Sequence, residues 1–185
     1  MVCGLSAFVV VTREMFPPRR ERRVAKARGG GCTLVTVAVM ATSDSREVVI
    51  EATPQEILDV IADVEATPTW SPQYQRAEIL DSYPDGRPKQ VKMTVKAAGI
   101  TDEQVIEYTW SDSGVTWTLV SAGQLKAQDA GYSLKPDGDK TRVRFDMAID
   151  LSIPMPGFLL KRTLKGGMET ATDGLRKQVL KVKKG

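Results

Sequence analysis

From Tyr74 onward, apolar and polar positions alternate with a period of two in six successive runs: Tyr74–Ser82, Lys89–Ala98, Thr101–Ser111, Gly114–Ala122, Leu125–Pro136 and Lys140–Ser152. That period predicts strands with one buried and one wet face. The last run is the clearest: Val143, Phe145, Met147, Ile149 and Leu151 fall on one side, and Arg142, Arg144, Asp146 and Asp150 on the other. Pro84-Asp85-Gly86, Asp112-Ser113-Gly114 and Pro136-Asp137-Gly138-Asp139 supply turn chemistry between runs, so consecutive strands should pair as antiparallel hairpins.

Ahead of these runs, Arg46–Ala52 reads as a strand. Thr53-Pro54-Gln55-Glu56 then has the form of a capping box with proline at the first helical position. Ile57, Leu58 and Ile61 give the helix that follows a buried face, and it should end near Asp63, read as its terminator or cap. A second short turn is expected over Val64–Thr67, stopped by Pro68, with Trp70-Ser71-Pro72 in a loop.

After Ser152 the period changes. Leu160, Leu164, Met168, Ala171, Leu175, Val179 and Val182 recur at spacings of three and four, a single apolar stripe on a helix from about Pro156 to Val182. Such a helix is about 40 Å long, enough to lie across a sheet. It also carries Gly166, Gly167 and Gly174, each of which weakens a helix by about 1 kcal/mol relative to alanine. Room for a ligand, a kink, or close contact with the sheet would each account for them. The fold class is therefore α+β: a curved antiparallel sheet of about seven strands wrapped around a long C-terminal helix, in the order strand, two helices, six strands, helix.

The 185 residues are 42% hydrophobic and 26% charged, ordinary for a globular domain. No apolar run approaches the roughly 18 residues of a membrane-spanning helix. The net charge of +3 is unevenly distributed: residues 1–40 carry seven basic and two acidic side chains, a local +5, which leaves −2 for the rest. The basic character thus belongs to an N-terminal extension, residues 1–44, and the domain at 45–185 has no general attraction for nucleic acid or an anionic membrane. In the extension a basic run precedes an apolar stretch and small residues, an order that resembles a signal peptide across residues 19–42. The preferred reading is a translated upstream region with the working start at Met40; a targeting segment and a disordered arm are the alternatives. A cytoplasmic location is expected.

There is no histidine, and both cysteines, Cys3 and Cys32, lie in the extension. The domain therefore lacks the parts for a Ser-His-Asp triad, a Cys-His pair or a usual zinc site. No metal and no cofactor is expected. Any acid–base work falls to Asp, Glu, Lys or Tyr.

The opening Val48-Val49-Ile50-Glu51-Ala52-Thr53-Pro54-Gln55-Glu56-Ile57, the block Ile61-Ala62-Asp63-Val64-Glu65 with Pro68-x-Trp70, and the lead Pro154-x-Pro156-Gly157-Phe158-Leu159-Leu160 resemble the START-like (SRPBCC, Bet v 1-like) superfamily. The resemblance is nearest to its bacterial polyketide cyclase/dehydrase and coenzyme-Q-binding branch. Thr67 stands where an aromatic is common in that branch. The resemblance covers Arg46 to Lys181 and implies the helix-grip fold, with a site in the cavity between sheet and long helix.

Alternation nominates the lining of that cavity: Met93, Val95, Ile106, Tyr108, Trp110, Trp117, Leu119 and Met147 from the strands, and Met155, Phe158, Leu159 and Met168 from the last loop and helix. All twelve would serve equally as plain core. Methionines suit an adaptable pocket, and the tips of Tyr108 and the indoles need partners if buried. Trp70 is either a lid or a plug beneath the second helix. Glu103 and Glu107, and Lys89, Lys92 and Lys96, are read as solvent-facing. Three functions follow: non-catalytic binding of a hydrophobic small molecule such as a lipid, quinone or polyketide; a cyclase or dehydratase in the same cavity, with Tyr108 the catalytic residue to test; or an interaction module with a solid core. The oligomeric state is not legible.

Overall fold

The structure, a computed structural model, describes residues 42–152 and 155–185. The readings made for residues 1–41 lie outside the described residues. Seven antiparallel strands form one sheet in the order β1-β7-β6-β5-β4-β3-β2. They are β1 (Thr42–Ile50), β2 (Tyr74–Ser82), β3 (Pro88–Ala97), β4 (Ile100–Ser111), β5 (Gly114–Ala122), β6 (Leu125–Asp137) and β7 (Lys140–Leu151). Each strand from β2 to β7 pairs with the next, and β1 closes onto β7.

β1 starts four residues earlier than its apolar residues suggest. Thr42 to Ser45 pair with Ile149 to Asp146. β7 runs on to Leu151, and its free edge draws these polar residues into the ladder. At the other end of β1, the chain leaves the sheet after Ile50, and the Ala52 carbonyl accepts from Thr141 Oγ1 at 2.7 Å.

Helix α1 (Pro54–Ala62) has the anticipated capping box: the Thr53 hydroxyl accepts from the Glu56 amide, and the Glu56 carboxylate accepts from the Thr53 amide at 2.7 Å. Asp63 is its C-cap, donating its amide to the Asp59 carbonyl. A 3-10 turn (Val64–Ala66) leads into a one-turn helix α2 (Thr67–Trp70). Pro68 therefore begins a helix where the sequence suggested a stop, because it sits in the first turn, where its missing N–H costs no bond.

The last helix has three parts: α3 (Gly157–Glu169), a π-helical turn (Thr170–Gly174) and α4 (Leu175–Lys184). Leu164, Met168, Ala171, Leu175 and Val179 of the stripe are buried, while Val182 at its end is exposed. The helix is tied across the sheet edge by polar contacts. Arg46 of β1 meets Asp173 at 2.8 Å, and the Arg176 guanidinium grips both oxygens of Glu51 at 2.8–3.2 Å. Arg176 thereby holds the Glu51 carboxyl below its ordinary range.

Ile50, Ile57, Leu58, Val91, Val115, Val143, Phe145 and Leu175 form the heart of the core. Against it stands a chain of aromatic rings on the concave face. Tyr108 lies 5.5 Å from both Trp110 and Trp117, and Trp117 lies 5.8 Å from Tyr132 and from Phe145. The outer face is wet, as alternation requires: Lys92 pairs with Glu103, Lys89 with Asp81, and Glu107 accepts from Gln90.

Candidate functional site

Two adjoining spaces lie between the concave face and the last helix. The outer one is a cavity of 480 Å³, within the 300–1,000 Å³ or so typical of small-molecule sites. It sits at the end of the sheet marked by the β3–β4 hairpin, which turns tightly through Ala98 and Gly99, both at positive φ. Val95, Ile100, Leu125, Met147, Ile149 and Leu151 give it an apolar wall, and Leu160, Leu164, Gly166 and Gly167 close it from α3.

Two of the polar residues of the outer cavity come from inward-phase strand positions. Gln104 shares a face with Ile106 and Tyr108 of β4, and Gln128 shares one with Ala130 and Tyr132 of β6. Both are buried, both line the cavity, and Gln128 Oε1 has no hydrogen-bond partner. Asp102 lies at the rim, where its carboxylate accepts the amides of Gly123 at 2.9 Å and Gln124 at 3.2 Å. It is thus committed to holding the β5–β6 turn.

The inner space is a chamber of 50 Å³, set against the aromatic chain. Gln73, Tyr74, Met147 and Gly167 line both spaces. Burial pushes the Tyr74 phenol up to about 12. Burial, and then the neighbouring Tyr74, pushes Tyr108 upward too. Tyr108 is thus a neutral phenol through the physiological range, able to donate a proton or hydrogen bond but not to act as a base.

Of the twelve nominated residues, Val95, Met147 and Met155 line the outer cavity. Met93, Ile106, Tyr108 and Trp117 line the inner chamber, which Met147 also reaches. The remaining five line neither. Met168 is core. Leu119 is partly buried against the core. Trp110 lies toward the far end of β4, where its Nε1 donates to the Pro88 carbonyl at 2.7 Å and its ring carries the Arg87 guanidinium at 5.0 Å. Phe158 is 78% exposed, and Leu159 is half-buried outside both spaces. On the last helix the inward positions are instead Leu160, Thr163, Leu164 and Gly167 of α3 and Thr170 of the π turn, one helical face. Lys96, read as solvent-facing, is exposed but reaches the cavity rim. Trp70 is a plug: it packs on the core, and its carbonyl faces Gly174.

The glutamines and threonines fall outside a lining nominated on apolar character, and the apolar Ile100, Leu125, Ile149, Leu151, Leu160 and Leu164 fall outside it because alternation does not say how far along a strand or helix the space extends. The available signal was a polar residue in the inward phase of a strand, which a solid core would not tolerate without a partner.

The family described as polyketide cyclase/dehydrase and lipid transport matches residues 41–180. The chain belongs to that family. No curated protein matches. Among solved structures, a START superfamily protein from Mycobacterium smegmatis is similar, with a TM-score of 0.69 and 24% identity, over 76% of this chain and 98% of the other. The Zhui aromatase/cyclase from Streptomyces sp. R1128 superposes with a TM-score of 0.66 at 11% identity, over 76% and 94%. A STAR-related lipid transfer protein from Xanthomonas axonopodis superposes with a TM-score of 0.59 at 16% identity, over 74% and 85%. At these identities the likeness is one of fold, the helix-grip arrangement of the family.

Among the described residues no helix is long and apolar enough to cross a membrane. Among the same residues no cluster of His, Cys, Asp and Glu has the makings of a metal site.

Proposed function

We propose that this member of the family binds a hydrophobic small molecule of the lipid, quinone or polyketide kind in the 480 Å³ cavity, without catalysis. The observation that carries the reading is a space of ligand size with an aliphatic wall and carboxamides as its buried polar groups. A solid-core interaction module has no use for such a space. Catalysis would need a poised acid or base. Among the described residues the one carboxylate at the cavity, Asp102, is spent on two backbone amides, and burial holds the nearby phenols neutral.

The test is extraction of the purified protein with organic solvent and mass spectrometry of the extract, beside titration with the apolar fluorophore N-phenyl-1-naphthylamine. Gly167→Leu directs a side chain into both spaces from a helical position that favours leucine. It should abolish fluorophore binding while leaving the fold intact by circular dichroism. An empty extract together with no fluorophore binding by the wild type would remove the proposal.

A cyclase or dehydratase in the same space is the second reading, favoured by one observation: Tyr108, a neutral phenol, lines the inner chamber. Turnover of a polyketide-like substrate that survives Tyr108→Phe unchanged would dismiss Tyr108 as its acid.

A further inference from the structure

The inner chamber differs from the outer cavity in the kind of polar atom that its lining residues leave unpaired. Trp117 is 6% exposed and Ser71 is 1% exposed, both line the chamber, and neither Trp117 Nε1 nor Ser71 Oγ has a hydrogen-bond partner. Trp70 lines the chamber as well, and its Nε1 is likewise buried and unpaired. An indole N–H donates and never accepts. Two of the three groups are therefore obligate donors, and the third is a hydroxyl free to donate. Leaving buried donors unpaired is costly, and an acceptor oxygen entering the chamber would offset that cost. Among the described residues no lysine or arginine lines the chamber, so a neutral oxygen suits it better than a carboxylate. Its 50 Å³ exceeds the roughly 10–15 Å³ needed for one water-sized group.

We propose that the inner chamber is a carbonyl-recognition site, taking the neutral acceptor oxygen of a ligand whose hydrocarbon body fills the outer cavity, with Trp117 and Ser71 as the donors. The inference rests on the binding reading above and adds the ligand's chemical class and orientation: a ketone, quinone or ester, oxygen first, rather than a plain hydrocarbon or a fatty carboxylate.

A matched pair of compounds tests it: 1-acetylnaphthalene and 1-ethylnaphthalene, close in shape, of which only the first carries the oxygen. The chain has three tryptophans, hence three indole N–H signals in a nitrogen–proton correlation spectrum, assignable by Trp→Phe variants. The ketone should move the Trp117 signal strongly and the hydrocarbon weakly. The Trp110 signal, already bonded to the Pro88 carbonyl, should stay. Trp117→Phe should weaken ketone binding about fivefold, the worth of a hydrogen bond, and change hydrocarbon binding less than about twofold. Ser71→Ala should act in the same sense and stands as the deciding variant if Trp117→Phe fails to fold. Equal affinity for the two compounds with an unmoved Trp117 signal overturns the carbonyl site, as does a variant that weakens both compounds alike, and in either case the outer cavity reading stands. Binding of neither compound overturns that reading and this one with it.

Discussion

The hydroxyl of Tyr132 donates to the main-chain carbonyl of Ala171 at 2.9 Å, joining the centre of the sheet to the π-helical turn of the last helix. A π turn breaks the regular ladder of a helix, and its carbonyls need partners from outside. Tyr132→Phe keeps the ring, which packs 4.7 Å from Phe145, and removes the donor. It should lower stability by about 1–3 kcal/mol, since the carbonyl is left buried and unpaired. Denaturant unfolding measures this; an unchanged midpoint would show that the bond does not hold the turn.

The three glycines of the last helix should respond in opposite directions to alanine. A Cβ on Gly166 or Gly167 meets nothing within 4 Å, whereas one on Gly174 meets the Trp70 carbonyl at 2.9 Å. Gly166→Ala should therefore stabilise by about 1 kcal/mol through helix propensity. Gly174→Ala should destabilise by about 1–3 kcal/mol, because a backbone oxygen has little freedom to retreat. Thermal melts of the two variants that moved the same way would refute this division.

Alkali should unfold the domain through its buried phenols. The folded-state values of Tyr74, Tyr108 and Tyr132 all lie above the ordinary 10.0, burial being the leading cause, with Tyr74 at about 12. The folded protein thus holds protons that the unfolded chain releases. The contribution is whole below pH 10 and is lost as pH rises through 12 and beyond. Tyrosinate absorbance at alkaline pH should rise in step with loss of circular dichroism, and appearance of all the tyrosinate before unfolding would count against it.

The capping box should show at the acid end. The Thr53 amide, and then its hydroxyl, hold the Glu56 carboxyl below its ordinary 4.5. Its contribution is present above that value and lost as pH falls through the lower folded one. Thr53→Ala should cost about 1 kcal/mol at neutral pH, and Glu56→Gln, which removes the titrating carboxyl, should flatten the acid limb of a stability-against-pH curve. An acid limb identical to wild type would mean that Glu56 draws nothing from the cap.

Phe158 offers a control. At 78% exposure it has little to lose, so Phe158→Ser should change stability by less than about 0.5 kcal/mol. It should also leave fluorophore binding as in the wild type. A large loss of binding would return Phe158 to the lining that the sequence suggested for it.

Most of the sheet was legible in the chain because each of its signals is local. The alternation from Val143 to Leu151, the turn at Pro136-Asp137-Gly138-Asp139 and the box at Thr53–Glu56 report on neighbours a few residues apart. The site was legible only in part. Met93, Ile106, Tyr108 and Trp117 were nominated by their inward phase, and the structure gathers them around the inner chamber. Phase, however, says which face a residue is on and not how far along the strand a space begins. Trp110 and Leu119 share the inward face with Gln104 and Gln128 and still lie outside both spaces. On the helix, a spacing of three or four marks a stripe, but a shift of one residue moves a side chain by about 100°. Two such steps turn Phe158 about 200° away from Leu160, which is why Leu160 lines the cavity and Phe158 does not.

The sequence by itself determined the elements, their order, the antiparallel pairing and the absence of histidine and cysteine chemistry from the domain. These depend on short-range hydrogen bonding, side-chain period and residue identity alone. Only the tertiary structure decided where the helix fails to fill the concave sheet. A void exists where side chains from distant segments stop short of each other, as Gly166 and Gly167 do opposite Met147 and Gln128, and no single segment carries that information. It decided likewise that Ser71 and Trp117, 46 positions apart in the chain, line one chamber with their polar atoms unpaired.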